Sequence, residues 1–222
     1  VSLLARAGRY TPRTKLRFIA PLSHPPPKTC VAWSTINHRL APQHAWPACA
    51  EDVNTAIRWV KAHAAEYKVD PARIALIGES AGGHLVSWAG VTAEADTRVA
   101  AVVPFYAPHD LVAQVSRRNA LGGLGGLIGM TELNEAARQK LAEISPMNRI
   151  QPDLPPFLQI HGDADEQVPY SQSVNFEAKM KAAGNACETI TIPGGGHGMG
   201  GWAKLNSDYA AQLIDWLQRT LK

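Results

Sequence analysis

Three residue types that together activate a serine hydroxyl stand in order along this chain. Gly78-Glu79-Ser80-Ala81-Gly82 reads G-x-S-x-G, Asp163 and Asp165 lie in "HGDADEQVP", and His197 lies in "PGGGHGMGG". A serine hydroxyl is a weak nucleophile; it needs a base to take its proton and a carboxylate to orient that base. Where G-x-S-x-G joins a strand to a helix, the serine sits on a strained turn that lifts its hydroxyl above the sheet edge, and the acid and then the histidine follow in chain order. The flanking positions are expected to lie so close that a Cβ at Gly78 or Gly82 would clash, and Gly83 is expected to allow close helix–sheet packing. The following helix would aim its N-terminal N–H groups at a developing negative charge. A bare five-residue match is equally an incidental glycine-rich turn, so the setting decides.

The elements around the motif have the required form. "IALIG" is a short apolar strand and "GGHLVSWAGV" opens a helix, as the motif demands. Upstream, Val53, Ala56, Ile57, Val60 and Ala64 recur at helical spacing, and Cys30–Ile36 is a β-branched candidate strand. Downstream, strands are expected over Val99–Pro108, Pro155–Gly162 and Cys187–Gly195. Helices are expected over Thr131–Ile144 with Thr131 as N-cap, over Ser171–Gly184, and over Ser207–Leu221. Apolar strands alternating with helices predict an α/β fold with a mostly parallel sheet covered on both faces. Both the Asp163/Asp165 loop and the His197 loop then follow strands, at the carboxyl edge of the sheet and on the same side as Ser80. The glycine-rich Ala120–Met130 breaks the rhythm and reads as a flap near a site or as a flexible surface connection.

Composition excludes several functions. The 222 residues suit one domain, 1–222, with 45% apolar residues for its core. A net charge of +3 is too small to argue for nucleic acid, and no run of about twenty apolar residues predicts a membrane span. No signal peptide is visible, so a soluble chain of open compartment is expected. Residues 1–30 form an atypical basic segment: Val1 to Ala50 holds no Asp or Glu, and "SHPPPK" reads as an extended connector. Cys30, Cys49 and Cys187 are odd in number, with no CxxC, and predict neither a disulfide framework nor a zinc site. HExxH and EF-hand spacings are also lacking, so no metal is expected, and a serine–histidine–acid constellation needs no cofactor. Among the other histidines, His161 ends a strand and reads as structural, and His84 as a packing or capping residue. His24, His38, His44, His63 and His109 have no catalytic setting.

Several longer motifs in order carry a resemblance. "HRLAPQHAWPACAEDVNTAIRWVKAHAAEYKVDPARIALIGESAGGHL", "SPMNRIQPDLPPFLQIHGDADEQVPYSQS" and "GGGHG" resemble the α/β-hydrolase esterases of the bacterial feruloyl/acetylxylan and hormone-sensitive-lipase-like groups, over about Ile36 to Leu221. In that pattern the acid stands three residues after the glycine of HG, which points to Asp165 and not Asp163. The resemblance implies a serine carboxylesterase: Ser80 as nucleophile, His197 as base, Asp165 as its orienter and the Ala81 N–H as an oxyanion donor. It implies short acyl esters, acetyl or feruloyl esters of carbohydrates among them. Glu79 and Trp202 are candidate substrate contacts, and Trp88 and Tyr170 candidate pocket residues, against ordinary packing for each. A prolyl-oligopeptidase-like peptidase and a catalytically impaired binding module are the alternatives.

The sequence departs from the family at one point. No HGGG-type run, which supplies a second oxyanion donor, occurs between Val1 and Arg39. The N-terminal strands are therefore expected to be atypical or truncated, the enzyme to be weak, and an exposed sheet edge to favour a homo-oligomer.

Overall fold

The computed structural model describes Ser2–Ala5 and residues 32–222. Six strands form one parallel sheet in the order β2-β1-β3-β4-β5-β6: β1 (Ser2–Ala5), β2 (Trp33–Ile36), β3 (Ala75–Glu79), β4 (Ala101–Phe105), β5 (Phe157–Gly162) and β6 (Cys187–Ile192). Among the described residues eight α-helices accompany them: α1 (Ala48–Ala62), α2 (Ala81–Val91), α3 (Leu111–Arg118), α4 (Gly123–Ile128), α5 (Glu135–Glu143), α6 (Ser171–Ala182), α7 (Trp202–Leu205) and α8 (Tyr209–Thr220).

The strand period of two divides the core into two layers. Leu76, Val102 and Phe157 face a cluster completed by Val53 and Ile57 of α1, Leu85 of α2 and Phe176 of α6. Ile77, Val103 and Ile160 face the other side, where Trp202, Leu213 and Trp216 cover them. Both faces of the middle strands β3, β4 and β5 are thus buried, as strands of a covered parallel sheet require. Helix α2 is buried almost all round, with only Trp88 partly exposed, so it is the helix nearest the middle of the molecule. Among the described residues, no helix is long and apolar enough to cross a membrane.

The structure changes four sequence expectations. First, Ser2–Ala5 is a strand inside the sheet, between β2 and β3, within a segment whose sequence reads only as basic and atypical. The remainder of that segment, with Cys30 and the proline-rich connector, lies outside the described residues. So does the chain leaving β1, where a second oxyanion donor would be sought. Second, the glycine-rich stretch contains α4, which buries Leu124, Leu127 and Ile128 and so is a packed wall. Third, α5 starts at Glu135, capped by Asn134, whose side chain accepts from the Ala137 N–H at 3.0 Å; Thr131 is not the cap. Fourth, β4 is shorter than Val99–Pro108, since Tyr106 turns to φ +36° and ends it. Helix α3, short and polar, is not legible as a helix in the sequence; Asp110 caps it by accepting from the Ala113 N–H at 2.9 Å.

Candidate active site

Strand β3 delivers Ser80 to the carboxyl edge of the sheet. Ser80 has φ +51° and ψ −116°, a conformation L-residues avoid and one that stores strain of about 1–3 kcal/mol. The turn is held because the Ser80 N–H donates to the Phe105 carbonyl at 2.9 Å and its carbonyl accepts from the His84 N–H at 3.0 Å. It is also tight: a Cβ on Gly78 would stand 2.3 Å from the Gly82 oxygen, and one on Gly83 would stand 2.6 Å from the Ala107 Cβ. The expectations for Gly78 and Gly83 therefore hold on steric grounds.

Strands β5 and β6 deliver the other two groups. The Ser80 Oγ lies 3.0 Å from His197 Nε2, and His197 Nδ1 lies 2.7 Å from Asp165 Oδ2. The second oxygen of Asp165 accepts from the Gln167 and Val168 N–H groups at 2.8 and 2.9 Å. Burial would push the Asp165 carboxyl up, but hydrogen bonds from His161, His197 and the Val168 N–H outweigh it and hold it well below the usual carboxylate range. Asp163 serves another purpose. It is exposed, and its Oδ1 accepts from the Gly194 N–H at 2.6 Å, so it joins the acid loop to the histidine loop.

The two loops meet without slack. A Cβ on Gly162 would stand 2.1 Å from the Gly195 oxygen, and that same oxygen accepts from the Ala164 N–H at 3.0 Å. Gly162→Ala must push the histidine loop away. We expect it to lower kcat by about 10²-fold, the effect of roughly 1 Å of misplacement at reacting groups. A kcat within twofold of the parent would refute that account of the contact.

His161 is structural, as its place at a strand end suggests, and it also approaches Asp165, four residues along the chain. Its ring is wholly buried, with Nδ1 2.8 Å from Ser173 Oγ and Nε2 3.0 Å from the Val168 carbonyl. The same Nε2 lies 3.3 Å from Asp165 Oδ2, so that oxygen faces two imidazoles. His84 packs as expected: its Nε2 meets the Ile144 carbonyl at 2.8 Å and its ring lies near Trp46.

Glu79 and Trp202 do not contact the cavity at Ser80, which corrects their expected role. Glu79 is buried and accepts from the Tyr106 hydroxyl at 2.5 Å. Burial and the Glu79 carboxylate push the Tyr106 phenol far up, so it stays a donor. The Tyr106 ring in turn packs edge-on to His197 at 4.7 Å. Trp202 is wholly buried against Tyr106 and donates to the Gly196 carbonyl at 3.1 Å. Both residues shape the histidine's seat from below. Trp88 packs on Trp46, and Tyr170 bonds to Thr191.

Above the serine is a cavity of ≈ 390 Å³. Ser80, Ala81 and His197 form its floor, Val115, Leu121 and Leu124 an apolar wall, and Gln114, Arg118 and Gln167 a polar side. Ala81 opens α2, so its N–H has no partner within the helix. Cys49 and Cys187 take no part: both are buried, which pushes their thiols up to about 11 and about 12. No cluster of three or more metal-ligating side chains occurs among the described residues.

Several known proteins are similar to this chain in sequence or fold. A probable carboxylic ester hydrolase of Mycobacterium tuberculosis, LipM, is 39% identical over 163 residues, covering 68% of this chain and 37% of that protein. An acetylxylan esterase of Xylanibacter ruminicola is 28% identical over 202 residues, covering 86% of this chain and 39% of that one. The chain thus spans less than half the length of curated relatives that it matches. The solved structure of a truncated carbohydrate esterase from gut microbiota superposes with a TM-score of 0.84 at 31% identity, covering 99% of this chain and 85% of that one. These likenesses extend to esterases with the α/β-hydrolase fold, which is the fold seen here. The BD-FAE model matches residues 27–180, more than half of the sequence, and the chain belongs to that family.

Proposed function

We propose that the chain is a serine carboxylesterase that hydrolyses short-chain acyl esters, including acetyl esters of carbohydrates. The observation that carries this reading is the continuous contact from Ser80 Oγ through His197 to Asp165, at 3.0 and 2.7 Å. In this reading Ser80 Oγ bonds to the acyl carbon while its proton passes to His197 Nε2. The tetrahedral oxyanion takes a hydrogen bond from the Ala81 N–H. The C–O bond to the alcohol breaks, and the alcohol leaves with the proton from His197. Water then gives a proton to His197 and attacks the acyl-enzyme, and the acid departs as Ser80 regains its proton. Asp165 holds the imidazole in the tautomer that leaves Nε2 free to accept.

The modest cavity supports a short acyl group, since ≈ 390 Å³ lies at the small end of ligand sites. The names of the acetylxylan esterase and the carbohydrate esterase support the carbohydrate alcohol. The test is hydrolysis of p-nitrophenyl acetate by the parent, Ser80→Ala and His197→Ala. Each variant is expected to lose about 10⁴-fold or more in kcat. Equal turnover by all three would sink the assignment.

A further inference from the structure

We propose that Arg118 makes this site selective for esters that carry a carboxylate, a reading that rests on the proposed esterase activity and deepens it. Gln114 and Arg118 stand one helical turn apart on α3, so they share a face. Both donate to one acceptor, the Gln167 carbonyl, at 2.7 Å each. That anchor fixes the guanidinium beside the cavity that also exposes Ser80 and His197. One N–H of the guanidinium is committed to Gln167, and Arg118 forms no ion pair among the described residues. Among the described residues, the carboxylates of the neighbouring loops form no ion pair with it. Asp165 holds His197, Asp163 takes the Gly194 N–H, and Glu166 pairs with neither Arg117 nor Arg118.

Loop bracing alone does not account for Arg118. Arg117, next to it, braces the same loop by donating to the Glu166 carbonyl at 2.8 Å, yet it does not line the cavity. The two arginines make the same kind of brace, and only Arg118 lines the cavity. An exposed guanidinium with N–H groups left over on the polar side of a cavity that also has an apolar wall suits a planar anion, which it binds bidentately. The ester that fits has an apolar body against Val115 and Leu124 and a carboxylate a few bonds from the scissile carbonyl. The carboxylate can belong to the acyl half or to the alcohol half, and the assay separates them.

The acyl arm compares mono-p-nitrophenyl adipate with p-nitrophenyl hexanoate; the alcohol arm compares 3-(4-acetoxyphenyl)propanoate with 4-propylphenyl acetate. Each pair differs by a carboxylate in place of a methyl group. The readout is the ratio of kcat/KM, anionic over neutral, in the parent, Arg118→Gln, Arg118→Glu and Arg117→Gln. In one arm the ratio should fall about tenfold in Arg118→Gln, as for loss of a charge-assisted hydrogen bond. It should fall further in Arg118→Glu and hold in Arg117→Gln. An Arg118→Gln ratio unchanged in both arms, or one that falls equally in Arg117→Gln, would overturn the proposal. Turnover is not needed for a second reading. Ligand-observed NMR on Ser80→Ala should show 4-phenylbutyrate binding over 4-phenylbutan-1-ol, with the preference lost on adding Arg118→Gln. A parent that hydrolyses none of the four esters therefore rejects the esterase reading, whereas absence of the NMR preference rejects the anion site.

Discussion

Asp165→Asn is expected to lower kcat by about 10⁴-fold while leaving the fold intact. The geometry dictates which way the amide turns. The Asp165 Oδ1 position accepts two backbone N–H groups, from Gln167 and Val168, so the amide oxygen must stay there. The amide nitrogen then occupies the Oδ2 position, facing His197 Nδ1 at 2.7 Å and His161 Nε2 at 3.3 Å. As a donor it forces Nδ1 of His197 to accept. The ring proton moves to Nε2, which then offers Ser80 Oγ a hydrogen where it should take one. Burst kinetics with p-nitrophenyl acetate would locate the loss in acylation, and thermal unfolding would show the fold retained. A kcat within tenfold of the parent would mean that Asp165 does not set the histidine's tautomer.

Stability is expected to fall steeply between pH 7 and pH 5, by something on the order of 4 kcal/mol. Two fully buried histidines cause it. Burial pushes His84 down to about 4. Burial, with His161 nearby, pushes His109, stacked on Phe176, down to about 3. In the unfolded chain both rings regain the ordinary value of about 6.5. Below that pH the unfolded state binds protons that the folded state refuses, so it gains on the native state. Their stabilisation is complete above about pH 6.5 and drains as pH falls toward the folded values. The loss per unit of pH approaches about 1.4 kcal/mol for each ring. Urea unfolding at pH 7, 6 and 5 measures the slope, and His84→Gln should remove about half of it. A flat profile would show that neither ring is kept neutral by the fold.

The parts with strong local signals are legible in the sequence. Strands β3, β5 and β6 are short runs dominated by apolar or β-branched residues, and the turn at Ser80 is announced by glycines that the packing does require. Loops that follow strands of a parallel sheet must emerge at one edge, which brings Ser80, Asp165 and His197 within reach of one another. Other features are hidden because tertiary contacts override local preference. Four residues without a turn signal give no hint that Ser2–Ala5 enters the sheet. Glycine disfavours helices by about 1 kcal/mol per residue, yet Gly123, Gly125 and Gly126 lie in α4. There burial of Leu124 and Leu127 decides, and a Cβ at Gly125 would stand 2.6 Å from the Met130 oxygen. Trp202 reads in the sequence as a candidate substrate contact, but it fills the space beneath His197. The approach of Arg118 to the cavity depends on which loops meet across the sheet edge, and no spacing in the chain encodes that.

The glycines around His197 are not equivalent, and their differences say where relatives of this chain are free to diverge. Gly195 is pinned by its contact with Gly162. Gly194, Gly198 and Gly201 have φ values of +69°, +97° and +88°, which side chains rarely adopt. Gly196 and Gly200 have neither restriction, and among the described residues nothing stands within 4 Å of where their Cβ atoms would be. Two positions in the loop that carries His197 can therefore gain side chains without steric penalty. Lineages can change the exposed surface beside His197 there, while the residues that aim the imidazole stay as they are.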